Sequence, residues 1–324
     1  MRTLTLLLLT VPLAAQAPSA RNAKVETRAV TEDLERQFRG LAQGGPAWFG
    51  WAVAAVPGHH QGCDAESGVR SPGPVYLEPP DRVHVLVRAE QGAAVKVRVL
   101  SPECQLDAGG LTLYWFEGVK PAESIAFLAT LATGPGHVVD GALVAIAIHR
   151  DPAADQALER LTAPSQPEPL RAKAVFWLGA TRGRRGYELL KRIVTEDPSD
   201  KVRDRAVFAL YVSKEPEAVD TTIAVAKNDR SAHVRGQAFF WLAQKAGKKA
   251  IGAMGEAIDI DPDTEVKRRA VFGLHQMPNG EGIPKLIEVA RSNKNAAVRK
   301  QAMFWLGQSK DPRALGFFEE ILKP

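Results

Sequence analysis

Residues 298–309 read VRKQAMFWLGQS, and the chain has written that phrase before. LRAKAVFWLG begins at Leu170, VRDRAVFALY at Val202, VRGQAFFWLA at Val234, VKRRAVFGLH at Val266 and VRKQAMFWLG at Val298, each start 32 residues after the one before. One further step back lands on VVDGALVAIA at Val138, which keeps the alanine and the aliphatic end but lacks the cation and the Phe. That is the expected form of an atypical terminal unit. A fixed period of this length marks an architecture of stacked repeats, each contacting its neighbours.

The columns of the alignment assign faces. Place five is alanine in all six units: Ala142, Ala174, Ala206, Ala238, Ala270 and Ala302. Place nine is Ile146, then Leu178, Leu210, Leu242, Leu274 and Leu306. At about 100° per residue, places one, five, eight and nine share one side of a helix, which predicts the core face. The second half of each unit opens on turn residues, as in HRDPAA from His149 and KDPRAL from Lys310. Apolar residues then follow at helical spacing, as with Tyr187, Leu190 and Ile193. Each unit therefore predicts two antiparallel helices that bury their apolar sides only by stacking on the next unit.

The VR-x-x-A-x-x-W/A-L-G phrase, its DP turn and its second helix resemble the short HEAT-like repeats of bacterial proteins, the type also found in phycobilisome lyases. The whole chain resembles secreted bacterial HEAT-repeat proteins. The resemblance implies a mainly α fold, a right-handed α-solenoid of HEAT-like helix pairs with the VR helices on its concave side. It also directs attention to an acid in the loop ahead of each VR helix. Asp197 stands six before Arg203, Asp229 six before Arg235 and Asp261 six before Lys267, with Ser165 and Asn293 in the same column. Asp197 with Arg203, Asp229 with Arg235, and Asp261 read as a structural ladder linking turn to helix and unit to unit. A carboxylate site is the alternative.

The front of the chain has another grammar. MRTLTLLLLTVPLAAQA, residues 1–17, has one cation, a short apolar run and small residues, the pattern of an export signal. Pro18 after Ala17 favours a cut after Ala15; a buried N-terminal helix is the other reading. The implied location is periplasmic or secreted. Residues 18–118 predict a small α+β domain with an antiparallel sheet. A helix opens near Thr31, and strands lie at AWFGWAVAAV from Ala47, VHVLVRA from Val83, AVKVRVL from Ala94 and LTLYWF from Leu111. EQGA between the second and third is a hairpin connection. Residues 119–324 are the solenoid: a capping half-unit at 119–137, then six 32-residue units from 138. Cys63 and Cys104 are the chain's two cysteines, which in an oxidising compartment form a disulfide; two free buried thiols are the alternative.

Chemistry is sparse. GHHQGCD offers His59, His60, Cys63 and Asp64, but no second ligand pair follows at fitting spacing, and the segment reads as a loop with one half of the disulfide. DIDPDTE from Asp259 has Thr264 where a calcium loop needs glycine and Ala270 where it needs an acid. No Walker loop, nucleophile elbow, HExxH or dinucleotide fingerprint occurs. No catalytic residue, metal or cofactor is expected. The net charge of +5 is mild for nucleic-acid binding, and no later stretch predicts a membrane span.

The unusual column is place seven: Phe176, Phe208, Phe240, Phe272 and Phe304, with Lys173, Arg205 and Arg269 beside it. If exposed, it is a binding stripe for a protein or peptide. If packed, it is mortar between units, as the alternation of Trp177, Trp241 and Trp305 with Ala209 and Gly273 suggests. The function expected is a non-enzymatic scaffold of the cell envelope. The alternative is an enzyme, or a lyase-like accessory to one, with its site in or beside the front domain.

Overall fold

The computed structural model describes residues 17–58, 62–63, 81–245 and 247–323. The export signal, save Ala17, and His59, His60 and Asp64 lie outside the described residues. The chain divides into two compact units, residues 1–157 and 158–324.

The first unit carries β1 (Ala20–Arg21), β2 (Lys24–Ala29), α1 (Leu34–Ala42), β3 (Ala47–Ala54), β4 (Arg82–Glu90), β5 (Ala93–Leu100), β6 (Leu106–Asp107) and β7 (Thr112–Glu117). Two helices follow, α2 (Pro121–Ala132) and α3 (Gly136–Ile148). Five strands form a sheet in the order β2-β7-β3-β4-β5, and β1 pairs with β6 apart from it. The sheet is mixed. The antiparallel expectation holds for β3–β4–β5, whereas β2 joins β7 and β7 joins β3 in parallel. β4 and β5 meet through Gln91 and Gly92, both at positive φ, as a two-residue hairpin turn requires. Val85 faces Val99 and Val87 faces Val97 across that hairpin. Phe49, Trp51, Phe38, Phe127 and Phe116 are buried with them in an aromatic core. Strand β2 shows no apolar alternation because its six residues sit on an edge, and only Glu26 is as much as half-buried.

Helix α3 packs on β5. A Cβ on Gly141 would lie 2.3 Å from the Val97 carbonyl oxygen, so only glycine permits that approach. This contact joins α3 to the sheet within the first unit. The disulfide Cys63–Cys104 is formed, with the Cα atoms 5.2 Å apart.

In the second unit, α4 (Ala153–Leu161), whose first turn lies in the first unit, is followed by five helix pairs: α5 (Glu168–Thr181) and α6 (Gly183–Glu196), α7 (Asp200–Val212) and α8 (Ala218–Asn228), α9 (Ala232–Lys245) and α10 (Gly247–Ile260), α11 (Thr264–Gln276) and α12 (Ile283–Ser292), α13 (Ala296–Gln308) and α14 (Pro312–Leu322). Helices α5, α7, α9, α11 and α13 pack side by side in that order as one layer, with their even-numbered partners behind them. Caps match the turn column: Ser199, Asp263 and Asn295 accept backbone N–H groups at the starts of α7, α11 and α13. Places one, five and nine are core throughout, as with Val234, Ala238 and Leu242. Place eight is core where it is small, at Ala145, Ala209 and Gly273, and half-buried at Trp177, Trp241 and Trp305, while place six joins the core with Leu143, Val175, Val207, Phe239 and Val271.

Candidate functional site

The acid column and the VR column meet, but not with the expected partners. Arg203 directs Nε and Nη2 to the two carboxylate oxygens of Asp229 at 2.8 and 2.9 Å. Its Nη1 donates to the Asp197 carbonyl oxygen at 2.9 Å, so Asp197 offers Arg203 its backbone and not its side chain. The Asp197 carboxylate is held instead by Arg171, with two bonds of 3.1 Å. Arg235 repeats the pattern on Asp261 at 2.8 and 3.0 Å and on the Asp229 carbonyl at 2.8 Å. Each arginine therefore reaches 26 residues ahead with its fork and back to its own turn with the remaining nitrogen. Each aspartate also accepts the backbone N–H two residues on, at Ser199, Ser231 and Asp263. These side chains are buried, and each carboxylate accepts two guanidinium N–H bonds and one backbone N–H, an arrangement that ties turn to helix and unit to unit. Bonding to Asp229 holds the Arg203 guanidinium above its ordinary range, and bonding to Asp261 does the same for Arg235. The ladder stops where Lys267 and Asn293 replace the pair: Lys267 donates to the Asp259 carbonyl and Asn293 to the Asp259 carboxylate. DIDPDTE is thus a turn that supplies the last ladder acid and, in Asp263, a helix cap.

The Phe column is both mortar and surface. Phe176, Phe208, Phe240 and Phe272 are half-buried and Phe304 is 54% exposed. Phe176 stacks on Phe208 at 5.6 Å. Between α7 and α9, Phe208, Tyr211 and Trp241 form a cluster, with Trp241 4.7 Å from each of the others. Between α11 and α13, Phe272, His275 and Trp305 repeat it, with Trp305 at 4.9 and 4.8 Å.

The other two seams are closed by small residues. A Cβ on Gly179 would lie 2.1 Å from the Ala209 carbonyl oxygen, which brings α5 against α7. At Gly273 a Cβ would lie 2.9 Å from the Met254 methyl group and 3.4 Å from the Phe239 carbonyl oxygen, so the bare glycine seats the Met254 side chain where α11 meets α9. The structural period is therefore two units. A unit with Trp at place eight and a small residue at place ten alternates with one that has a small residue at eight and Tyr211 or His275 at ten. The place-ten aromatic was the signal left unread in the sequence.

Polar groups line the same helices. Lys173 and Arg205 are exposed. Arg269 lies across Gly236, with Gln237 Oε1 3.5 Å from its Nη1 and Glu265 3.7 Å from its Nε. Asp204 sits beside His233 at 3.9 Å, and desolvation pushes its carboxyl above the ordinary value.

The first unit holds one arrangement that sequence reading missed. His149 Nε2 is 2.9 Å from Ser124 Oγ, and Trp51 Nε1 donates to the same oxygen at 2.8 Å. Both residues are buried to within 1%. The serine, the imidazole and the indole form a buried hydrogen-bond network joining β3, α2 and the end of α3. Cys63, Glu103 and Cys104 bring ligand-type atoms within 4.8 Å of one another, but both sulfurs are spent in the disulfide. A pocket of about 100 Å³ beside that disulfide is lined by Trp48, Leu86, Arg98 and Leu113.

The family model for HEAT repeats matches residues 251–324. Among solved structures, the chain is similar to human deoxyhypusine hydroxylase in complex with glycerol, at 18% identity over 61% of this chain and 77% of that one, with a TM-score of 0.33. It is similar to the complex of CpcE and CpcF of phycocyanin lyase from Nostoc, at 22% identity over 49% of this chain and 100% of that one, with a TM-score of 0.37. It is also similar to Kap121p, at 11% identity over 62% of this chain and 27% of that one, with a TM-score of 0.40. No curated protein matches it.

Proposed function

We propose that this chain is a non-enzymatic interaction protein of the cell envelope, holding a protein or peptide along the layer formed by α5, α7, α9, α11 and α13. The observation that carries the reading is the aromatic column itself. Five phenylalanines stand at one place on successive helices of the layer, half-buried or exposed, in two runs of touching rings, one from Phe176 through Phe208 to Trp241 and Phe240 and one from Phe272 through Trp305 to Phe304, with Lys173, Arg205 and Arg269 on the same helices. HEAT repeats are a fold typical of protein–protein scaffolds. The disulfide is compatible with export, and among the described residues no helix is long and apolar enough to cross a membrane.

Panning displayed random peptides against the purified chain tests the proposal. Selected peptides are expected to bind the wild type and to lose at least tenfold in affinity for a variant carrying Lys173→Glu, Arg205→Glu and Arg269→Glu, whose helical circular dichroism is unchanged. Equal binding to both proteins would place the site elsewhere.

A further inference from the structure

The two aromatic seams recur 64 residues apart, with Tyr211 in the first where the second has His275, and they differ further in the residue that follows them. In the seam of Phe208, Tyr211 and Trp241, the last turn of α9 supplies Lys245. Its ammonium donates to the carbonyl oxygens of Tyr211 and Ser213 at 2.7 and 2.6 Å and lies 5.9 Å from the Tyr211 ring centroid. The carbonyls are at the C-terminal end of α7, the negative end of the helix dipole, and the rings add cation–π attraction. That seam carries its own ligand.

In the seam of Phe272, His275 and Trp305 the rings stand almost as before, with Trp305 4.9 and 4.8 Å from its partners. The equivalent carbonyls are those of His275 and Met277 at the end of α11, but the residue in Lys245's place is Ser309, too short to reach them. Lys310 beside it is exposed. Burial lowers the His275 pKa, which disfavours a charge on the ring that would repel a cation. The seam also retains a buried His275 Nδ1 with no hydrogen-bond partner, which in the tautomer protonated at Nε2 is an acceptor for an ammonium; the Trp305 Nε1–H, likewise unpartnered, is a donor and takes no part in holding it. Phe304, Gln276 and Gln308 form an exposed rim.

We infer that this second seam receives a lysine side chain of the bound partner, in the position that Lys245 fills in the first. The inference rests on the proposed interaction role and specifies the partner's chemistry: a segment presenting a lysine over the end of α11. The apolar column takes the rest of the segment, and the seam sets its register.

The test follows the Trp305 indole N–H resonance, assigned with Trp305→Phe, during titration with Ac-Gly-Gly-Lys-Gly-Gly-amide and with the same peptide carrying norleucine. The lysine peptide is expected to shift that resonance saturably at millimolar concentration, and the norleucine peptide to leave it in place. Ser309→Lys, which supplies the ammonium internally, is expected to abolish the response. Lys245→Met, which empties the first seam, is expected to make the Trp241 resonance responsive as well. An equal shift from norleucine, or none from lysine in the wild type and in Lys245→Met, overturns the inference. If panned peptides still depend on Lys173, Arg205 and Arg269 in that event, the interaction role survives and only the lysine subsite falls.

Discussion

Arg203 and Asp229, 26 residues apart, share two hydrogen bonds of 2.8 and 2.9 Å, and the arginine side chain is entirely without solvent exposure. Removing Asp229 leaves the buried Arg203 charge only the exposed Asp200 carboxylate, 2.8 Å from Nη2, and backbone carbonyls, and breaking such a buried pair costs up to about 3–5 kcal/mol. Asp229→Ala is therefore expected to lower the unfolding free energy of the repeat unit by that amount, read from urea denaturation. Replacing both residues with apolar ones, Arg203→Met with Asp229→Leu, should cost much less than the sum of the single changes. Additive losses would mean that the two side chains do not act as a pair.

Gly179 and Gly307 occupy the same column and should answer alanine with opposite signs. At Gly179 the new Cβ meets the Ala209 carbonyl oxygen at 2.1 Å, and backbone cannot step aside as a side chain can. Gly179→Ala is expected to destabilise by about 1–3 kcal/mol, the usual cost of overpacking. At Gly307 nothing lies within 4 Å, and the residue is an exposed part of α13. Gly307→Ala should stabilise by up to about 1 kcal/mol through helix propensity alone. Thermal melts of the two variants against wild type check both signs.

His84 makes the first unit acid-sensitive. It is 4% exposed, set edge-on to Trp115 at 4.8 Å, and burial lowers its pKa to about 4. The folded chain keeps the ring neutral while the unfolded chain takes up a proton below its ordinary value of about 6.5. Stability is thus full above that pH and falls as pH drops from about 6.5 to about 4, by roughly 3 kcal/mol at most. His84→Leu should flatten this part of the stability–pH curve. An unchanged slope between pH 7 and pH 4.5 would assign the acid sensitivity to other groups.

The disulfide closes a loop with a sequence separation of 41. In the chain-entropy account such a closure stabilises by about 4 kcal/mol. Reduction is expected to lower the unfolding midpoint of the first unit and to leave that of the repeat unit unmoved, as both Cys63 and Cys104 belong to the former. Tryptophan fluorescence of a Trp177→Phe, Trp241→Phe, Trp305→Phe variant, which keeps Trp48, Trp51 and Trp115 in the first unit alone, compared with far-ultraviolet circular dichroism, separates the two transitions.

The 32-residue period, the alanine and leucine columns and the β4–β5 hairpin were legible in the sequence alone, whereas the order of strands in the sheet was not. Each rests on local spacing: 3.6 residues per turn places Ala206 and Leu210 on one face, and alternation places Val83, Val85 and Val87 on another. The ladder was legible only as a list of its members. Asp197 lies six residues from Arg203 along the chain and 26 from Arg171, and chain distance favours the nearer partner. Stacking turns 26 residues into one step between adjacent helices, where the fork of Arg171 meets both carboxylate oxygens and Arg203 is left the carbonyl. The same holds for the Phe column and for β2. A ring at place seven is mortar or surface according to what the neighbouring helix carries at places eight and ten. An edge strand with no apolar alternation is assigned only by the β7 backbone beside it. Sequence periodicity determined which residues share a helix or strand face; only the packing of one element on the next decided which faces and charges become partners, because those contacts join residues whose separation along the chain says nothing about their distance.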